Sequence, residues 1–147
     1  MASSTICVDA SVAAKWLLRE GDRQRALALR SDVLRSGGRI VAPDHLIPEV
    51  TSAIYKKCQL GQIRMELGRL LVAGAGQLAV DAVSVPGLPL RAFEIAAQFG
   101  LKWVYDAFYV ALAEIIGCDL WTADEALHQA VRDAHTNVRL LADYPLV

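Results

Sequence analysis

Apolar and polar positions alternate along this chain in two rhythms. Short apolar runs at residues 5–8 ("TICV"), 39–43 ("RIVAP"), 78–85 ("LAVDAVSV"), 119–124 ("DLWTAD") and 137–141 ("NVRLL") read as β-strands. Between them lie longer stretches with apolar residues three and four apart, which read as helices. These cover 11–19, 22–35, 46–58, 62–73, 90–99, 105–116 and 125–134. Gly37-Gly38, Gly61, Gly100 and Gly117 punctuate them, and Pro48 sits in a first turn, where proline is tolerated. Strands separated by helices predict parallel βαβ units. The expected fold is therefore α/β: a three-layer α/β/α sandwich on a mainly parallel sheet, as one domain spanning 1–147.

At 147 residues the chain is long enough for one core, and 54% of it is hydrophobic. Its longest uncharged stretch, 70–80, is too short to span a bilayer. No basic segment precedes an apolar run at the N-terminus, so no signal peptide is read and the cytoplasm is the expected compartment. Cys7, Cys58 and Cys118 are distant in sequence and odd in number, which fits neither a disulfide framework nor a zinc site; each reads as core. A formal net charge of −1 offers no global pull toward nucleic acid, so RNA binding would need a local basic patch or metal ions.

Four acids fall in unusual places. Asp9 and Asp124 end apolar strands, at the sheet edge where ligands bind in parallel α/β folds. Glu49 lies on or beside the apolar stripe formed by Leu46, Val50, Ala53 and Ile54, where a carboxylate costs several kcal/mol unless paired or bound to a cation. Lys56, Lys57 or an arginine is the ordinary partner for it. Asp106 opens a helix between Tyr105 and Phe108. Taken singly, each aspartate reads first as a helix cap. Gathered together, they would repel and require a cation, and oxygen donors without histidine or cysteine suit Mg2+ or Mn2+. His45, His128 and His135 stand outside this set, with His45 read as a surface or capping residue. Lys15 and Arg19, four apart after Asp9, are candidate phosphate contacts or simply a solvated face. Trp16 and Trp121 read as core. No glycine-rich turn follows the first strand, and "GAG" at 74–76 precedes a strand, so a dinucleotide site is excluded.

The segments "VDASVAAKWLL", "APDHLIPEVTSAI", "YDAFYVALAE" and "LWTADEAL", in this order and spacing, resemble the PIN-domain ribonucleases, and more specifically the VapC-type toxins of bacterial toxin–antitoxin pairs. The resemblance implies metal-binding, catalytic acids at Asp9, Glu49, Asp106 and Asp124, with Asp9 and Asp106 central. Ser11 and Thr122 would be supporting hydroxyls. It implies in-line hydrolysis of an RNA phosphodiester by an activated water, with Mg2+ or Mn2+ as cofactor and no side-chain nucleophile. It also implies an antitoxin protein covering the site. The helices at 11–19 and 46–58, with Lys15, Arg19, Lys56 and Lys57 beside Trp16, Leu17, Ile54 and Tyr55, offer a place for it. The high apolar fraction suggests a homodimer. Two positions depart from the family pattern: Ser52, where asparagine is common, and Lys102-Trp103-Val104, where a small hydroxyl residue is common. The rival reading is a non-catalytic PIN scaffold that binds RNA or protein.

Overall fold

A computed structural model describes residues 4–147. The elements run β1 (Thr5–Val8), α1 (Ala10–Leu17), α2 (Arg23–Arg35), β2 (Arg39–Ala42), α3 (Leu46–Gln59), α4 (Met65–Ala75), β3 (Val80–Ala82), α5 (Leu88–Phe99), α6 (Val104–Ile116), β4 (Asp119–Thr122), α7 (Glu125–Val131) and β5 (Val138–Leu140), with a final 3₁₀ turn at Leu141–Asp143. The strands form one sheet in the order β3-β2-β1-β4-β5, and every pairing is parallel. Each expected strand and helix is present, with ends shifted in either direction by up to three residues.

The order fixes where a ligand can sit. The chain steps from β1 outward through β2 to β3, then returns across the sheet to β4 on the other side of β1. Beyond the carboxyl ends of β1 and β4, connections leave in opposite directions and a crevice opens. Right-handed crossovers put α1–α4 over one face and the α5–α6 hairpin over the other, with α6 against β1 and β4. Both faces of the central strands are therefore covered. Cys7, Val8, Ile40, Val41 and Leu120 are almost fully buried, along with Val12, Val50, Ile54, Val110 and Leu112 from the helices.

Helix α1 ends two residues earlier than its pattern predicts. Leu18 turns extended (φ −102°, ψ 141°) while its N–H still reaches Ala14 O. The Arg23 guanidinium then donates to the carbonyls of Lys15 and Trp16, satisfying two of the acceptors a helix end leaves open. Trp16 is core, as expected: it is 5% exposed and its indole N–H donates to Ala26 O. Trp121 is partly buried against the ring of Tyr144. Of the three cysteines only Cys7 is fully buried; Cys58 and Cys118 are intermediate.

Gly117, at φ +80°, ends α6 in the left-handed region, so β4 begins two residues later. That short link carries the chain from the helix bearing Asp106 to the strand leading to Asp124.

Candidate active site

All four acids sit at the amino ends of helices at one edge of the sheet. Asp9 caps α1, accepting from the Val12 N–H at 3.2 Å. Asp124 caps α7, accepting from the Leu127 N–H at 3.1 Å. Glu49 and Asp106 lie in the first turns of α3 and α6 and make no cap bond there. α3 starts at Leu46, as its pattern predicts, which puts Glu49 in the first turn. Four positive helix ends face the acids and partly offset their mutual repulsion.

Asp9 is the most firmly held. Ser11 Oγ donates to its Oδ1 at 2.5 Å and Thr122 Oγ1 to its Oδ2 at 2.5 Å. Each hydroxyl is itself aimed by a backbone N–H: Ala123 N to Ser11 Oγ at 2.8 Å, and Asp124 N to Thr122 Oγ1 at 3.0 Å. The two supporting hydroxyls expected from the sequence thereby tie the end of β1 to the end of β4. Asp9 is 6% exposed and Thr122 is fully buried. Burial pushes the Asp9 carboxyl up to about 6, against the lowering effect of the bonds from Ser11, Thr122 and Val12, with the Asp106 charge adding to the rise. Asp106 is also raised to about 6, first by burial, then by the charges of Glu49 and Asp124, with His45 opposing. The four acids therefore share one electrostatic field.

Glu49 is held differently. Tyr109 OH donates to its Oε1 at 2.7 Å, and His45 Nε2 lies 3.2 Å from the same oxygen. His45 Nε2 is also 3.1 Å from Tyr105 O. Both neighbours are acceptors, so Nε2 carries the proton. Burial alone would raise the Glu49 carboxyl, but the bonds from His45 and Tyr109 and the imidazole charge bring it below its ordinary value. The His45 ring packs between Tyr105, Phe108 and Tyr109, so α3 and α6 meet across the sheet edge through this contact.

Three expectations need correction here. His45 stands at the N-cap position of α3, where its carbonyl accepts from the Glu49 N–H, but its half-buried ring makes no cap bond and lies against the Glu49 carboxylate instead. Lys56, Lys57 and the arginines do not pair with Glu49; Lys57 instead lies 3.7 Å from Glu20, which Lys15 also contacts at 3.2 Å. Lys15 and Arg19 do not share a helix face beside the acids, because α1 ends at Leu17. That end lies about 12 Å along the helix from Asp9. Arg19 lines a separate groove of about 580 Å³ with Leu17, Arg23, Lys57, Leu67 and Leu71. Trp16 and Ile54 are buried and offer nothing to a docking partner, whereas Tyr55 is exposed.

Sequence reasoning missed Tyr109 and the role of His45. Spacing carried a signal for both: Tyr109 follows Asp106 by three residues on one helix, and His45 precedes Glu49 by four.

The donor set suits a hard cation. The acids supply only oxygen, and among the described residues no lysine or arginine pairs with any of the four. As the side chains stand, no three carboxylate, imidazole or thiol groups among the described residues converge closely enough to grip an ion.

Comparison with known proteins agrees with this architecture. The PIN domain family model matches residues 6–133. Ribonuclease VapC9 of Mycobacterium tuberculosis is 34% identical over 119 residues, covering 81% of this chain and 85% of its own length. Ribonuclease VapC3 of the same species is 33% identical over 140 residues, covering 88% and 90%. Among solved structures, PAE2754 from Pyrobaculum aerophilum superposes with a TM-score of 0.68 at 19% identity, covering 95% of this chain and 92% of that one. VapC20 of M. tuberculosis, described as a sarcin–ricin loop cleaving toxin, superposes at 0.65 with 16% identity, covering 91% and 98%. At those identities the two structures speak for the fold.

Proposed function

The chain belongs to the PIN-domain family, with VapC ribonucleases among its relatives, and from that premise we propose that it is a divalent-metal-dependent endoribonuclease acting as the toxin of a toxin–antitoxin pair. One observation carries the reading. Asp9, Glu49, Asp106 and Asp124 share one sheet edge, no lysine or arginine among the described residues pairs with any of them, and burial first, with their mutual charge adding to it, pushes Asp9 and Asp106 up to about 6. A protein retains such a cluster at a cost, and a cation removes the cost.

In this reading Asp9, Glu49, Asp106 and Asp124 hold Mg2+ or Mn2+, with Asp9 and Asp106 central. When bound, such an ion supplies Lewis acidity toward the phosphodiester and lowers the pKa of an attacking water. The chain's own work is positional. Ser11 and Thr122 fix the Asp9 carboxylate by its two oxygens. The amino ends of the surrounding helices favour the incoming phosphate. No serine, cysteine or histidine is required as nucleophile.

An antitoxin protein and RNA are the proposed partners. The groove lined by Leu17, Arg19, Arg23, Lys57, Ile63, Leu67 and Leu71 supports a partner segment that is acidic and apolar in turn. Lys15, tied to Glu20, and Arg19 remain candidate RNA contacts at a distance from the acids. A homodimer is supported by large apolar side chains exposed around the α5–α6 hairpin: Leu90 at 65%, Phe93 at 67% and Trp103 at 57%. Among the described residues no helix is long and apolar enough to cross a membrane; action on RNA in the cytoplasm is part of the proposal.

Induced expression tests this function. The chain alone should arrest growth of its own host and leave cleaved RNA, and co-expression of a protein that co-purifies with it should restore growth. Unimpaired growth with intact RNA would overturn the toxin reading.

A further inference from the structure

Glu49 differs from the other acids in how its oxygens are used. Asp9 has both oxygens engaged, by Ser11 and Val12 on one and Thr122 on the other. Asp106 makes no side-chain hydrogen bond among the described residues. Glu49 has Oε1 bound by two groups, Tyr109 OH and His45 Nε2, while Oε2 has no protein partner among the described residues. Its side chain is 34% exposed, so without these bonds it could swing into solvent.

The donors are far better fixed than the group they hold. Tyr109 is 1% exposed, inside α6, and its backbone carbonyl lies 3.9 Å from the thiol of Cys7 on β1. Only its hydroxyl reaches the site. His45 is wedged among three aromatic rings, and its Nε2–H is shared with the Tyr105 carbonyl. A glutamate on α3 is thus indexed to α6, the helix that carries Asp106 three residues before Tyr109.

We infer that Tyr109 and His45 are positioning residues, holding Glu49 by Oε1 so that Oε2 is presented for metal binding alongside Asp106. Neither touches the reacting atoms. Each acts through Glu49 and removes the rotamer entropy the glutamate would otherwise lose on binding an ion. The inference rests on the metal-dependent reading proposed above. Partners of this kind change metal affinity by about 10- to 100-fold when removed.

The test measures Mn2+ binding to the isolated protein, without RNA, from the electron paramagnetic resonance signal of free Mn2+. The proteins are wild type, Y109F, H45N, E49Q and the double variants Y109F/E49Q and H45N/E49Q. Y109F keeps the buried ring and removes only the hydroxyl. Circular dichroism and thermal unfolding confirm folding, and H45N carries the test by itself if Y109F does not fold. Y109F and H45N should each weaken Mn2+ binding about tenfold. In the E49Q background neither should weaken it further, because the group they act through has lost its charge. Wild-type affinity in both single variants would overturn the inference. So would losses that add fully to that of E49Q, since a merely structural role predicts additivity. If wild type binds no Mn2+ at all, the metal-dependent reading falls, and this inference with it.

Discussion

Asp9 and Asp106 hold their protons more tightly in the native protein than in the unfolded chain, since both carboxyls are raised from 3.8 to about 6. Their stabilising contribution without metal is therefore full below about pH 4 and is lost as pH rises through about 6. Glu49 works in the opposite sense: its carboxyl is lowered, so its contribution is present at neutral pH and lost as pH falls. Asp106 is the cleaner probe, because it makes no cap bond and its neighbours repel it. In metal-free protein, Asp106→Asn should raise the unfolding midpoint at pH 7 by roughly 3 °C, corresponding to about 1 kcal/mol. The difference from wild type should shrink to nothing near pH 4. Thermal unfolding in EDTA across pH 4–7 checks this, and a variant less stable than wild type at pH 7 would show that Asp106 is held by structure rather than opposed by charge. Added Mn2+ should reverse the order, stabilising wild type by roughly 2.7 kcal/mol at a hundred times its dissociation constant and Asp106→Asn by much less.

At the scale of elements, α3 and α4 form a pair whose closeness depends on Gly68. A Cβ built there would lie 2.6 Å from Cys58 Sγ and 3.7 Å from Ile54 Cγ2. Gly68→Ala gains helix propensity of about 1 kcal/mol but sets its methyl against the Cys58 thiol, which must be displaced from its packed position at a cost of about 1–3 kcal/mol. The expected outcome is a net loss of stability in urea unfolding. Mn2+ affinity should be unchanged, because the acids lie at the other end of α3. Elements were also where the sequence spoke most clearly. Apolar periodicity and glycine stops located every strand and helix, since those signals are local. The end of α1 was not legible, because it is set by the Arg23 guanidinium reaching back to Lys15 O and Trp16 O. The partner of Glu49 was illegible for the same kind of reason. Charge pairing in sequence favoured lysine, but the chain brings a tyrosine of α6 sixty residues away and leaves Lys57 to Glu20. Ser11 and Thr122 were placed with Asp9 by the family resemblance alone; their meeting follows from β1 lying beside β4, a long-range pairing that local pattern does not carry.

For the whole molecule, the sheet order explains why so small a domain can assemble a site. The return from β3 to β4 opens a crevice beside β1, and four helix starts deliver one acid each to that edge. The opposite ends of α1 and α3 carry the basic groove, so the proposed metal chemistry and the proposed partner contact are separated along the helices. The α5–α6 hairpin leaves Leu90 and Phe93 in solvent, and Phe93→Glu should convert a dimer to a monomer in light scattering after size exclusion without lowering the monomer's Mn2+ affinity. A wild-type chain that is monomeric at tens of micromolar would remove the homodimer from the account.

The most direct measurement is RNA cleavage by the purified chain, with Mn2+, with EDTA, and with Asp106→Asn in Mn2+. The acids-and-cation account predicts new RNA ends for wild type with Mn2+ and none in the other two reactions, while circular dichroism reports the same fold in all three. Equal cleavage by Asp106→Asn, or by wild type in EDTA, would contradict it.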